Sequence, residues 1–138
     1  RRMSPDELLA EARAAAKNAY VPYSGFAVGA AVLTSDGTVV CGANVENASY
    51  GLSICAETNA ITTAVAAGAR EIVAVAVVGG AVGDPNARAL ATPCGRCRQI
   101  IAEFAREDLV VFVEDVPGNE RLDIPLAELL PHPFRLRP

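Results

Sequence analysis

The chain has 138 residues and a mass of 14.3 kDa, enough for one compact domain. With 51% hydrophobic and 20% charged residues it has the balance of a globular core, which excludes disorder as the main state. A formal charge of −4 and a pI near 5.0 argue against a nucleic-acid binder, whose affinity would come mainly from Lys and Arg neutralising phosphates. The longest apolar stretch, Ile72 to Val82, is too short to span a bilayer, so no membrane partner is expected and the expected location is the cytoplasm. There is no tandem repeat, low-complexity tract or linker-like run to divide the chain.

Ser4-Pro5-Asp6-Glu7 combines a capping serine, a proline at the first helical position and a glutamate three residues after the cap, which predicts a helix from about Pro5 to Asn18. Pro22 and Gly25 break the chain before two β-rich runs, Phe26 to Thr34 and Thr38 to Ala43. The Asp36-Gly37 pair between them is a hairpin signal, because glycine supplies the positive φ of a tight turn. From Cys55 to Ala67, Ala56, Ala60, Ile61, Ala64 and Val65 recur at helical spacing, with Gly68 placed to close the helix. Glu71 to Val78 is apolar and β-branched, as expected of a strand covered on both faces. Thr92-Pro93 opens a helix with Cys97, Ile100, Ile101, Phe104 and Ala105 on one stripe. A strand at Leu109 to Val113 and a short helix from Pro125 to Leu130 follow. The order α-β-β-α-β-α-β-α predicts one mixed sheet sandwiched between helices.

The chemistry lies in the cysteines. Cys94-Gly95-Arg96-Cys97 sets two thiols three residues apart in the first turn of a helix, and Cys55 starts another. Helix N-termini are electropositive and favour thiolates. Three thiolates converging from two such ends form a base for a borderline cation, with Zn²⁺ the first choice and a fourth position left to water. Glu57, two residues after Cys55, is suited to take a proton from that water and pass it to a leaving group. Regular helical geometry would turn Glu57 away from Cys55, so Cys55 must sit in the non-helical cap for both to face the metal.

Cys55-Ala56-Glu57 followed by Pro93-Cys94-Gly95-Arg96-Cys97-Arg98-Gln99 resembles the zinc-dependent cytidine deaminase family, whose signature is a His or Cys, any residue and Glu, then Pro-Cys-x-x-Cys. Val21 to Ala30, Asn44 to Gly51 and Glu128 to Pro131 are similar to the small three-cysteine class that acts on free nucleosides, so the likeness covers nearly the whole chain. It implies a single α/β/α sandwich domain over residues 1–138 with about five strands. It further implies one Zn²⁺ per subunit on Cys55, Cys94 and Cys97, with Glu57 as the catalytic residue. The implied reaction is hydrolytic deamination of cytidine and 2′-deoxycytidine to uridine products and ammonia. By the same resemblance Asn44 and Glu46 bind the ribose 3′-hydroxyl and Phe26 stacks on the pyrimidine. Ala48 and Tyr50 line the sugar site of a neighbouring subunit, and Phe134 closes over the base from another, in a homotetramer with shared sites. One departure is Thr58, where many relatives carry an arginine that offsets the charge of three thiolates; Arg98 and the helix N-termini are left to do so.

Other readings stand beside this one. Cys41 could close a four-cysteine zinc staple in a non-enzymatic binding module, although its place in Val39-Val40-Cys41-Gly42 suits a buried free cysteine better. A dithiol oxidoreductase on Cys94 and Cys97 would leave Cys55 and Glu57 idle. A blasticidin-type aminonucleoside deaminase shares the cysteine motifs but has no purpose for Asn44 and Glu46, and a polynucleotide deaminase is disfavoured by the acidic balance. Tyr20, Tyr23, Phe104 and Phe112 are assigned to packing, and His132 between two prolines to an exposed position without a role.

Overall fold

The computed structural model describes residues 3–84, 88–115 and 120–136. Helix α1 is Pro5–Ala16, and strands β1 (Phe26–Thr34) and β2 (Val39–Ala43) form the hairpin. A 3₁₀ turn at Tyr50–Leu52 precedes α2 (Ala56–Ala66), then come β3 (Ile72–Ala81), the two-residue β4 (Arg88–Ala89), α3 (Gly95–Phe104), β5 (Ala105–Asp115), β6 (Glu120–Pro125) and the short α4 (Leu126–Leu129). The predicted cap of α1 is present. The Ser4 hydroxyl accepts from the Glu7 amide at 3.1 Å and the Ser4 amide donates to Glu7 Oε1 at 2.9 Å. At the predicted hairpin turn Gly37 has φ +89°.

The strands form one sheet in the order β2-β1-β3-β5-β6, with β4 paired to the end of β3. Among the strands of the described residues only β3 and β5 run parallel, across the connection that contains α3, and the other strand pairings are antiparallel. The mixed sheet of about five strands is therefore present as five long strands and the short β4. Strand β6 lies where no strand is read from the sequence, and β5 begins at Ala105, four residues before the apolar run.

Successive side chains of a strand point to opposite faces, so the apolar runs feed two layers. On one face Leu8, Leu9 and Ala12 of α1 pack against Ala31, Leu33, Ala74, Ala76 and Val78. On the other, Ala56, Ala60, Ile61 and Ala64 of α2 and Ile101 and Ala102 of α3 cover Ala30, Val32, Val75, Val77, Leu109, Val111 and Val113. Each fully buried Val, Leu or Ile adds about 1.5–3 kcal/mol of burial free energy. Alanine lets helix and sheet approach closely, and at β2 even alanine is too large. A Cβ on Gly42 would stand 2.5 Å from the Ala60 amide nitrogen and 2.7 Å from the Ala56 carbonyl oxygen.

That contact corrects the expectation for Cys41. Its neighbour Gly42 faces α2, so Cys41 faces the α1 side of the outermost strand β2 and is exposed. An edge strand has only one flanking strand, and α1 covers this one in part: Cys41 Sγ reaches the Glu11 carbonyl at 3.8 Å and stays exposed. Among the described residues no helix is long and apolar enough to cross a membrane.

Candidate metal centre and active site

Two helix starts meet at the site. Cys55 is the N-cap of α2 (φ −73°, ψ 154°) and Cys94 the N-cap of α3 (φ −66°, ψ 168°), both in extended backbone. Neither thiol replaces a capping oxygen in its helix, which leaves the sulfurs to point elsewhere. The extended cap at Cys55 is what allows it and Glu57, in the first turn, to serve one centre. The sulfurs of Cys55, Cys94 and Cys97 all lie within 4.8 Å of one another, and Cys55 and Cys94 are 3.7 Å apart. A tetrahedral ion with bonds of about 2.3 Å to sulfur sets its ligand sulfurs about 3.8 Å apart, so the triangle fits Zn²⁺ in spacing and in donor chemistry. Cys41 is not in this group, which removes the four-cysteine staple.

The centre grades from inside to outside. Cys97 is fully buried, Cys55 is half-buried and Cys94 is exposed. Burial, with the nearby Glu57 carboxylate acting in the same sense, holds the Cys97 thiol far above the ordinary thiol range. Burial and the neighbouring Cys94 push Cys55 up as well. At Cys94 burial is outweighed by the Cys97 amide and the adjacent thiols, and the thiol is lowered. Glu57 is 4% exposed, and burial raises its carboxyl above the ordinary carboxylate range. Beside it the hydroxyl of Thr58 lies 3.2 Å from Cys97 Sγ.

The backbone ties the other predicted residues to this centre. Val45 and Ile54 exchange hydrogen bonds at 3.0 and 2.9 Å, so the Asn44–Glu46 segment is joined to the residue before Cys55. Asn59 of α2 donates to the Ala43 carbonyl at 2.9 Å from the other side. Asn44 bridges β1, accepting from the Val28 amide at 2.8 Å and donating to the Phe26 carbonyl at 3.0 Å. Glu46 Oε1 accepts the Tyr23 and Ser24 amides at 3.1 Å, and Oε2 accepts the Ser24 hydroxyl. The Ser24 hydroxyl, then the two amides, hold the Glu46 carboxyl below its usual range. An amide has two donor hydrogens and two acceptor lone pairs, so these bonds leave Asn44 Nδ2 with a hydrogen to give. The Phe26 ring lies on the backbone of β3. A Cβ at Gly79 would stand 3.0 Å from its Cε2 and 3.1 Å from its Cζ, with Ala91 Cβ completing the seat at 3.0 Å.

Ala48 is exposed, Tyr50 is 74% exposed and meets Tyr23 edge to face at 5.8 Å, and Phe134 is 67% exposed. Tyr20 and Tyr23, expected to pack, are 57% and 49% exposed because they stand in the loop before β1, outside both core layers. His132 is exposed, as expected. Gln99, which has no assigned role, and Arg98, expected to offset the charge of the thiolates, both brace the site through backbone groups. Gln99 donates to the Phe134 carbonyl at 3.0 Å and accepts the Phe134 amide at 3.1 Å. Arg98 donates to the Pro93 carbonyl at 2.7 Å and the Leu129 carbonyl at 2.9 Å, so its hydrogen bonds serve the backbone beside Cys94 and not a sulfur. The partners of Gln99 and Arg98 across the chain are 35 and 31 residues away, and no local pattern signals such pairs.

Residues 3–113 match the family model for the cytidine and deoxycytidylate deaminase zinc-binding region. A cytidine deaminase of Halalkalibacterium halodurans is 45% identical over 132 residues, 96% of this chain and 95% of the relative. One of Mycobacterium tuberculosis is 44% identical over 129 residues, covering 94% of this chain and 88% of the relative. Among solved structures, a cytidine deaminase from Burkholderia pseudomallei superposes with a TM-score of 0.83 at 42% identity, over 96% of this chain and all of that one.

Proposed function

The chain belongs to the cytidine and deoxycytidylate deaminase family, and from that premise we propose that it deaminates cytidine and 2′-deoxycytidine by hydrolysis, releasing ammonia, in pyrimidine salvage. The observation that carries the reading is the triangle of Cys55, Cys94 and Cys97 sulfurs with the buried Glu57 beside it. The thiols of Cys55, Cys94 and Cys97 would hold Zn²⁺, which would lower the pKa of water toward neutrality and so supply the nucleophile.

Glu57 moves the protons. Water adds to C4 of the ring, the bond from C4 to the amino group breaks, and a carbonyl replaces it. Glu57 accepts a proton from the water and delivers it to N3, then takes the second proton from the hydroxyl on C4 and delivers it to the departing amine. Its raised carboxyl suits this task, because a group that both accepts and gives a proton works best with a pKa drawn toward the working pH. The Phe26 ring, seated on Gly79, offers a face for the pyrimidine, and the remaining Nδ2 hydrogen of Asn44 with the Glu46 carboxylate suits a ribose hydroxyl, which is both donor and acceptor.

Exposed Tyr50 and Phe134 support a shared site in which a second copy covers them, Ala48 and Tyr50 at a neighbour's sugar site and Phe134 over a neighbour's base, in a homotetramer. The Gln99 clasp on both polar groups of the Phe134 backbone presents that ring outward at a fixed place.

Two measurements test the reading. Ammonia release across cytidine, deoxycytidine, cytosine, CMP, adenosine and blasticidin S is expected for the first two, and turnover of blasticidin S alone would overturn the assignment. Glu57→Ala is expected to retain zinc and lose turnover by about a hundredfold or more, the scale of a removed general acid and base. Wild-type turnover in that variant would end the proton-carrier role.

A further inference from the structure

The residue that follows Glu57 is one of few polar side chains buried in this fold. Thr58 is 5% exposed, Cys97 is fully buried, and the Thr58 hydroxyl lies 3.2 Å from Cys97 Sγ across the α2–α3 contact. In the metal-free protein either group can donate, since each carries a proton. As a metal ligand Cys97 is a thiolate, has no proton and can only accept. In its contact with that sulfur the hydroxyl then has one role open to it, donation. A buried anion without a donor is costly, and a hydrogen bond to a charged acceptor is among the stronger kinds.

We propose that Thr58 is a positioning residue of the metal centre, its hydroxyl donating a hydrogen bond to the Cys97 thiolate and so limiting the negative charge that three sulfurs place on the ion. This rests on the three-thiolate reading of the site. Thr58 sits three residues from one cap, Cys55, and pairs with the innermost ligand on the other helix, so one contact couples the two helix starts that carry all three sulfurs. Partners of metal ligands orient them and tune their basicity. Hydroxyl donation draws electron density from the sulfur, while Arg98, the cation expected to offset that charge, donates to the Pro93 and Leu129 carbonyls.

The test compares the parent protein with Thr58→Val, which keeps the shape and removes the hydroxyl, and Thr58→Ser, which keeps the hydroxyl and removes the methyl. Each is loaded with cobalt for its sulfur-to-metal charge-transfer band and with zinc for affinity by chelator competition. Thr58→Val is expected to move the band to longer wavelength, because an unmodulated thiolate gives up charge more easily, and to lose about 10–100-fold in zinc affinity. Thr58→Ser is expected to restore both. A Thr58→Val protein with the parent's band and affinity, or a Thr58→Ser protein that behaves like Thr58→Val, would overturn the hydrogen bond's role. A parent protein with no charge-transfer band would instead overturn the metal site, and the hydrogen bond with it.

Discussion

Cys97 and Cys55 carry the clearest consequence of single-residue environments. Burial raises both thiols, most of all Cys97, so in the metal-free protein at neutral pH they hold their protons. Zinc binds thiolates, so binding expels those protons and the apparent affinity rises with pH. With at least two protons released, affinity is expected to climb about a hundredfold per pH unit near neutrality, because each proton contributes a factor of about ten. Calorimetry of zinc binding in buffers of different ionisation enthalpy counts the protons directly, and a heat independent of buffer would contradict the assignment. At this scale the sequence was informative about which residues come together, since Cys55, Cys94 and Cys97, with Glu57, are recognisable by type and spacing. It was silent about burial. Nothing local distinguishes the innermost Cys97 from the exposed Cys94, or foretells that Thr58 meets a sulfur 39 residues away.

Helix α2 is set against β2 by a contact that has no room for a side chain. A Cβ at Gly42 would overlap the Ala56 carbonyl and the Ala60 amide, both of them backbone. Gly42→Ala must therefore displace the first turn of α2, which carries Glu57 and follows Cys55. We expect a loss of about 1–3 kcal/mol in stability, the usual cost of overpacking, together with weaker zinc binding. Thermal unfolding and chelator competition on the same sample check both, and an unchanged melting temperature would show that the helix yields freely. Elements with a strong local signal were legible, as with the α1 capping box, the Asp36-Gly37 hairpin, the α2 alanine stripe and the apolar β3. Strand β6 was not. Its alternation of Leu122 and Ile124 with Arg121 and Asp123 is a usable signal, but a polar edge strand ending in Pro125 lacks the apolar run by which buried strands are found. The first residues of β5 are charged, and they are strand because Ala105 pairs with Ile72 while Arg106 meets Glu71 at 3.0 Å, a tertiary effect.

For the whole molecule, the exposed Tyr50 and Phe134 make the assembly testable. Sedimentation is expected to show a tetramer, and Phe134→Ala to raise KM while zinc content stays unchanged, since the ring stands far outside the core. A stable monomer with full activity would contradict the shared site. The sequence by itself determined the site's chemistry: three thiols and a carboxylate at helix starts, the two apolar layers and the hairpin, because these depend on residue type and on spacing along one element. Only the tertiary structure decided which face of the edge strand holds Cys41, that Tyr20 and Tyr23 lie outside the core, that Gln99 clasps Phe134, and that Thr58 answers Cys97. Each of these joins residues far apart in the chain, and their meeting is set by how helices and strands pack, which no local periodicity records.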